Sequence, residues 1–374
     1  MDQLTSIDRT LEAPLLPEGL DTPAVVVDLD RVDANIARMQ QLLDGRGVAL
    51  RPHAKTHKSP FFAERQLAAG AVGITVAVLG EAVVMADAGI EDVFVAYPVW
   101  AVGEKARRVR ELSARTRLAV GVDSVDGATQ LGRALHGAGA RPDVLIELDS
   151  GERRTGTDAE RVVEVARAVV DAGLELRGVF THGGHAYRGP DRVAEAAADE
   201  GSTLQAAVAR LRAAGFELPV VSAGSTPTAV ASSVDPITEE RPGTYVFGDR
   251  QQANLGGSDP SSLALAVAAT VVSTSVEGGC VLDSGAKALA KDKPGWLAGH
   301  GVVPQLPGAV IRFVYDHHAV LDLPPDLPPP RVGDIVAVVP NHVCPVVNLT
   351  DELVLARAGN VVEHLPVLAR GRTS

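Results

Sequence analysis

The 374-residue chain is 46% hydrophobic and carries a formal net charge of −12, enough for one large domain plus a smaller one with a core that needs no covalent staples. The acidic balance argues against nucleic acid or an anionic membrane as partner, and no apolar run is long enough to span a bilayer. Two cysteines make no disulfide framework and suit a reducing cytoplasm, and the acid-bearing first nine residues lack the apolar stretch of a secretory signal.

From about residue 22, short β-rich runs alternate with amphipathic helical stretches. The runs cover 24–28, 48–53, 73–78, 93–97, 118–122, 144–148, 176–181 and 219–223. Helical patterns over 32–43, 59–69 and 158–172 lie between them, and Gly70, Gly89 and Gly173 read as helix C-terminal residues. Eight alternations predict a (β/α)8 TIM barrel over 21–257. An open doubly wound sheet is the other reading, weakened because no Gly-x-Gly-x-x-Gly follows a first strand. After residue 258 the runs 263–275, 279–283, 310–315, 335–339 and 352–357 are strand-like with no good helix between them, and 321–331 is a proline-rich loop. The region 258–374 therefore reads as an antiparallel β domain. Residues 1–20 are expected to join it or to pack beneath the barrel.

Barrel enzymes carry their reactive groups at the C-terminal ends of strands. Lys55 lies there, in Arg51-Pro52-His53-Ala54-Lys55-Thr56-His57-Lys58, flanked by His53 and His57. An amine so placed can condense with an aldehyde, as in pyridoxal 5′-phosphate (PLP) enzymes. An arbitrary lysine is usually solvated surface charge; the strand-end position sets this one apart. A phosphate requires close backbone N–H groups. Gly224-Ser225-Thr226-Pro227-Thr228, after the last β run, and Arg241-Pro242-Gly243-Thr244 supply two candidate loops, each alone also compatible with an ordinary turn. Arg154 follows the sixth run and suits a phenolate or carboxylate; it is equally a surface arginine of a loop. Tyr187, in His182-Gly183-Gly184-His185-Ala186-Tyr187, can reach a ring nitrogen, whereas His182 and His185 form a rival metal pair without an adjacent carboxylate. His342 and Cys344 are two apart in a segment read as extended, so both face one side. Imidazole plus thiolate suits zinc and leaves positions open for substrate; a buried inert cysteine beside a solvated histidine is the plain alternative.

Together the Pro-His-Ala-Lys-Thr-His-Lys block, Asp21-Thr22-Pro23, Asp149-Ser150-Gly151 with Arg154, His182-Gly183-Gly184 with Tyr187, Gly224–Thr228, Leu282-Asp283-Ser284-Gly285 and His342-x-Cys344 resemble the fold-type III PLP enzymes of the D-serine dehydratase and D-threonine aldolase family. The resemblance implies an alanine racemase-like barrel with Lys55 in a Schiff base to PLP, Arg154 by the phenolic oxygen and Tyr187 by the pyridine nitrogen. It places Gly224, Ser225, Thr226, Gly243 and Thr244 around the phosphate, and His342 and Cys344 on a metal ion. It implies a homodimer and a D-3-hydroxy amino acid substrate. His-x-Cys with zinc points to dehydration of D-serine to pyruvate and ammonia, with Lys55 or His57 taking the Cα proton. The residues after Cys344 look aldolase-like, which keeps open cleavage to glycine and an aldehyde with zinc, manganese or magnesium, from D-threonine or D-3-hydroxyaspartate. Two readings from other classes are a non-catalytic PLP carrier and a metal-dependent barrel hydrolase built on His182 and His185.

Overall fold

A computed structural model of the chain describes residues 4–374. Its first strand, β1 (Ala24–Asp28), runs into the helix Leu29–Asp44, which starts where the Asp28 carboxylate accepts the amides of Asp30 and Arg31. Leu29, Val32, Ile36, Met39 and Leu43 form that helix's buried face, at the three- and four-residue spacing an amphipathic helix requires.

A parallel sheet follows: β2 (Ala49–Leu50), β3 (Ile74–Val76), β4 (Asp92–Pro98), β5 (Arg117–Val122), β6 (Asp143–Leu148), β7 (Glu175–Thr181), β8 (Val220–Ala223) and β9 (Glu239–Glu240). Its order is β2-β9-β8-β7-β6-β5-β4-β3. The two ends meet, because the Thr75 amide donates to the Pro52 carbonyl and the Val72 amide to the Leu50 carbonyl, each at 2.9 Å. His53 bridges Thr75 at the same seam, so the sheet curls into a ring. Strand alternation builds two layers: Val93 and Val95 face the surrounding helices, whereas Phe94 packs with Leu145 and Phe180 on the opposite side. Each fully buried valine contributes about 1.5–3 kcal/mol. Near the N-terminal mouth Arg51 joins Asp92 at 2.5 Å and Glu239 at 2.6 Å, pairing charges from three strands. The three glycines expected at helix ends all have positive φ.

The second sheet holds β10 (Leu265–Ser273), β11 (Gly279–Leu282), β12 (Val310–Val314), β13 (Ala319–Asp322), β14 (Ile335–Val338), β15 (Glu352–Arg357) and β16 (Asn360–Pro366). It also holds β1, which lies between β10 and β15 in the order β12-β13-β11-β10-β1-β15-β16, with β14 on β10. Val26 faces Ala266 in an antiparallel pair and Val354 in a parallel one.

The eight β runs of the sequence thus do not map one-to-one onto the ring. The first belongs to the second sheet, and the eighth ring strand is the pair Glu239–Glu240. The reason lies in the packing of β1: Val25 and Val27 bury against the helix Leu29–Asp44 and the second sheet's core, whereas Val26 buries on the other face against Ala268, Val354 and Leu20. A strand covered on both faces reads the same in either sheet. The C-terminal region also contains short helices, Ala286–Leu289 and Val343–Leu349, where the sequence suggested none. The expectation for residues 1–20 concerns partly residues 1–3, which lie outside the described ones. Residues 4–20 form no strand; Asp8 pairs with Arg250 at 2.8 Å with both side chains fully buried, and Leu11 packs with Leu263, Val302 and Val339.

Candidate active site

The C-terminal ends of the ring strands surround a cavity of about 380 Å³ whose lining includes Lys55, Arg154, Tyr187, Gly224, Ser225, Thr226, Gly243 and Thr244. The fold therefore gathers the expected cofactor-binding residues in one place. Lys55 follows the seam between β2 and β3, and its amide donates to His53 Nδ1 at 3.3 Å. His53 and His182 also line the cavity. Burial, reinforced by the charge of Lys55, pushes both imidazoles well below their ordinary range, so Lys55 is flanked by neutral rings.

The loop after β8 is shaped by close approach. Gly224 has φ +94°, and a Cβ there would meet a Glu240 oxygen at 1.7 Å; only glycine fits. A Cβ on Gly243 would meet the His53 carbonyl at 2.9 Å and Thr56 Oγ1 at 3.0 Å. The Ser225 amide donates to Thr228 Oγ1 at 3.0 Å, and the Tyr245 amide donates to Thr226 Oγ1 at 3.1 Å. Among the described residues, the amides of Thr226, Gly243 and Thr244 donate to no protein acceptor. Unpaired backbone donors beside two glycines that hold the backbone close are what a phosphate dianion requires. An amine, a polarised cavity and this cradle together fit PLP. The loops are tied from behind by Glu200, whose Oε1 accepts from the amides of Gly183 at 2.8 Å and Gly224 at 3.0 Å.

Tyr187 sits in the short 3-10 helix Gly184–Arg188. Its hydroxyl lies 3.5 Å from Gln252 Nε2 and near Ser225, on the side of the Gly224–Thr228 loop. Arg154 lies beside Glu152 at 3.5 Å and is half-exposed.

Three side chains that line the cavity were given no role from the sequence. Arg241 is buried, with its guanidinium donating to the Thr181 carbonyl at 2.5 Å and to Ser222 Oγ, and stacked 5.3 Å from the Phe180 centroid. Glu147 accepts from Thr155 Oγ1 at 2.9 Å, and burial pushes its carboxyl up to about 7. Phe180 floors the cavity. Inward positions near the ends of β6 and β7 would have identified Glu147 and Phe180; Arg241 needed the Glu239–Glu240 strand, which the sequence does not reveal.

His57 is not brought to the cavity. It is fully buried, with Nε2 3.2 Å from Gln66 Oε1 and Nδ1 accepting the Ser59 amide at 3.2 Å. A glutamine oxygen only accepts, so Nε2 carries the proton and Nδ1 spends its lone pair on Ser59. Burial pushes this ring down to about 4. His57 therefore has no free nitrogen for a substrate proton.

His342 and Cys344 do come together, by a different local route from the one expected. His342 is extended and caps the helix Val343–Leu349, and Cys344 sits in its first turn. The two side chains lie close enough to influence each other's charge. His342 Nδ1 lies 2.7 Å from Asp292 Oδ2, and Cys344 Sγ lies 3.3 Å from Thr56 Oγ1, next to Lys55. Burial opposes the charged forms, yet His342 is held well above its usual range by the thiolate and Asp292, and Cys344 is held below its own by His342 and Lys55. A thiolate and an imidazole whose second nitrogen is fixed by a carboxylate make a donor set suited to a divalent metal. Among the described residues no group of three histidine, cysteine or carboxylate side chains converges to hold a metal ion. His182 and His185 do not form a pair: His182 lines the cavity, whereas His185 turns to Asp199 at 3.1 Å.

Comparison with known proteins identifies the family. Residues 27–251 match the family described as alanine racemase, N-terminal domain, and residues 264–356 match the putative serine dehydratase domain. D-threo-3-hydroxyaspartate dehydratase from Delftia sp. (strain HT23) is 38% identical over 354 residues, covering 87% of this chain and 91% of that protein. A D-threonine aldolase from Arthrobacter sp. is 33% identical over 363 residues, covering 94% and 93%. Among solved structures, D-threonine aldolase from Filomicrobium marinum superposes with a TM-score of 0.87 at 34% identity, covering 97% of this chain and all of that one. A cysteine-to-alanine variant of D-threo-3-hydroxyaspartate dehydratase in the metal-free form superposes with a TM-score of 0.86 at 35% identity, covering 93% and 97%. No helix among the described residues is long and apolar enough to cross a membrane. The chain thus belongs to the fold-type III PLP enzymes, with an alanine racemase-like barrel and a serine dehydratase domain, and it is a PLP-dependent lyase of D-hydroxy amino acids.

Proposed function

We propose that the protein is a zinc-dependent dehydratase of D-3-hydroxy amino acids, converting D-serine to pyruvate and ammonia, with its barrel holding PLP and a homodimer as its working form. The observation that carries this reading is the contact of Cys344, beside His342, with Thr56, one residue from Lys55. That placement brings a metal's donor set to the amine that would hold the cofactor, which a PLP carrier without catalysis has no use for. Bound PLP supplies an electron sink at Cα, and a zinc ion on His342 and Cys344 supplies Lewis-acid chemistry for the β-hydroxyl.

The chain's own residues set the rest. Lys55 takes the Cα proton at Nζ; its neutral neighbours His53 and His182 add no positive charge to compete with the protonated amine. Ser225, Thr226, Gly243 and Thr244 anchor the phosphate, Tyr187 borders the pyridine nitrogen, and Arg154 reaches the phenolic side. Asp292 fixes His342 through Nδ1 and leaves the other nitrogen for the metal. The metal-free form described for the cysteine variant of the similar dehydratase supports Cys344 as a ligand. The test is product identification from D-serine and D-threonine, before and after chelation. Pyruvate from D-serine that disappears with chelator and returns with zinc is the expected outcome; glycine and acetaldehyde from D-threonine with no pyruvate would replace the dehydratase by an aldolase.

A further inference from the structure

His57 belongs to the same motif as Lys55 yet faces away from the cavity, into a chain of buried hydrogen bonds. Its Nε2–H donates to Gln66 Oε1 at 3.2 Å, and Gln66 Nε2 donates to the Tyr245 hydroxyl at 2.9 Å. The Tyr245 amide in turn donates to Thr226 Oγ1 at 3.1 Å. His57, Gln66, Tyr245 and Thr226 are all buried. The chain begins two residues from Lys55 and ends on the loop that cradles the phosphate. It passes through the helix Pro60–Ala68 and the 3-10 turn Thr244–Val246, and so links two strand-end loops that share no strand pairing. Phe62, 5.6 Å from the His57 ring and 5.1 Å from Phe247, fills the apolar flank.

We infer that His57, Gln66 and Tyr245 form a positioning brace that fixes the separation between the Lys55 amine and the phosphate cradle at Ser225–Thr226. The inference rests on PLP being held at both points. A ligand attached at two points gains affinity only while the span between them is kept, so breaking the brace should weaken PLP selectively. Pyridoxal, which lacks the phosphate, engages Lys55 alone and serves as the control. His57 is then a positioning residue for the cofactor and not the base.

The test compares wild type, Tyr245→Phe, Gln66→Leu and the double variant. Enzyme freed of cofactor is reconstituted to holoenzyme with PLP or with pyridoxal, and imine absorbance gives each dissociation constant. We expect PLP binding to weaken about five- to tenfold in each single variant, the scale of one net hydrogen bond. Pyridoxal binding should change less than about twofold, and the double variant should be no weaker than either single one, because both break the same chain. The pH profile of kcat should keep its shape. Equal weakening of both ligands, or no weakening of PLP, would overturn the brace. Wild type that forms no imine with either aldehyde would instead overturn the cofactor reading itself, and the brace with it.

Discussion

The barrel and the C-terminal domain deliver their functional groups in opposite ways. Around the ring the side chains that line the cavity come from the ends of many separate strands, Lys55 after β2, Glu147 and Arg154 from and after β6, Tyr187 after β7 and Ser225 after β8. The C-terminal domain contributes its two candidate ligands from three consecutive residues at one helix start, His342 to Cys344. A distributed site is robust to loss of any one contact except the covalent one, whereas a compact pair has no redundancy.

That contrast is open to attack by mutation. The largest effect is expected at Lys55: Lys55→Ala should abolish the imine absorption and lower turnover at least about a thousandfold, the scale of a lost positioned base, as read by absorbance and pyruvate formation. Retained activity would remove the barrel's central group. Next is Cys344→Ala, which should lower metal content and turnover by about a hundredfold or more, a few kcal/mol of lost Lewis-acid assistance, while imine absorbance stays. Elemental analysis beside the activity assay separates the two losses. Asp292→Asn is expected to weaken metal binding about tenfold, since it alters only the partner of a ligand; a metal titration followed by activity measures it. The smallest effect on chemistry, and the clearest on stability, concerns Glu147. Its folded pKa is raised to about 7 from an ordinary 4.5, so the unfolded chain releases its proton first as pH rises. Wild type should therefore lose stability relative to Glu147→Gln between about pH 4.5 and pH 7, by up to about 3 kcal/mol, with little difference below that window. Urea unfolding at pH 4.5 and pH 7.5 reads this; a pH-independent gap would contradict it.

The barrel, the β-rich character of the second half and the expected lysine and glycine loops at the cavity were legible because they follow local rules. Strand–helix alternation, glycine loops and a lysine at a strand end are written in adjacent residues. What was not legible depends on partners far along the chain. Nothing in Ala24–Asp28 says which sheet its two apolar faces will meet, and Glu239–Glu240 has no apolar residue to announce a strand. His57 illustrates the same limit within one motif: its spacing from Lys55 suggests a shared site, but only the packing of Gln66 and Tyr245 reveals that the ring turns inward. His342 and Cys344 do come near each other, but by a helix start and not by the extended segment that their spacing suggested.

The position of β1 has a consequence for how the chain must be made. This strand leaves the ribosome more than two hundred residues before β10 and β15, the neighbours that flank it on both sides. Until those arrive, Val25, Val26 and Val27 have no sheet to join, so the nascent barrel carries an unsatisfied, aggregation-prone edge through most of synthesis. Closure of this loop, spanning nearly the whole polypeptide, makes the two halves a single cooperative unit, and a fragment that stops after the barrel would keep its sticky edge for good.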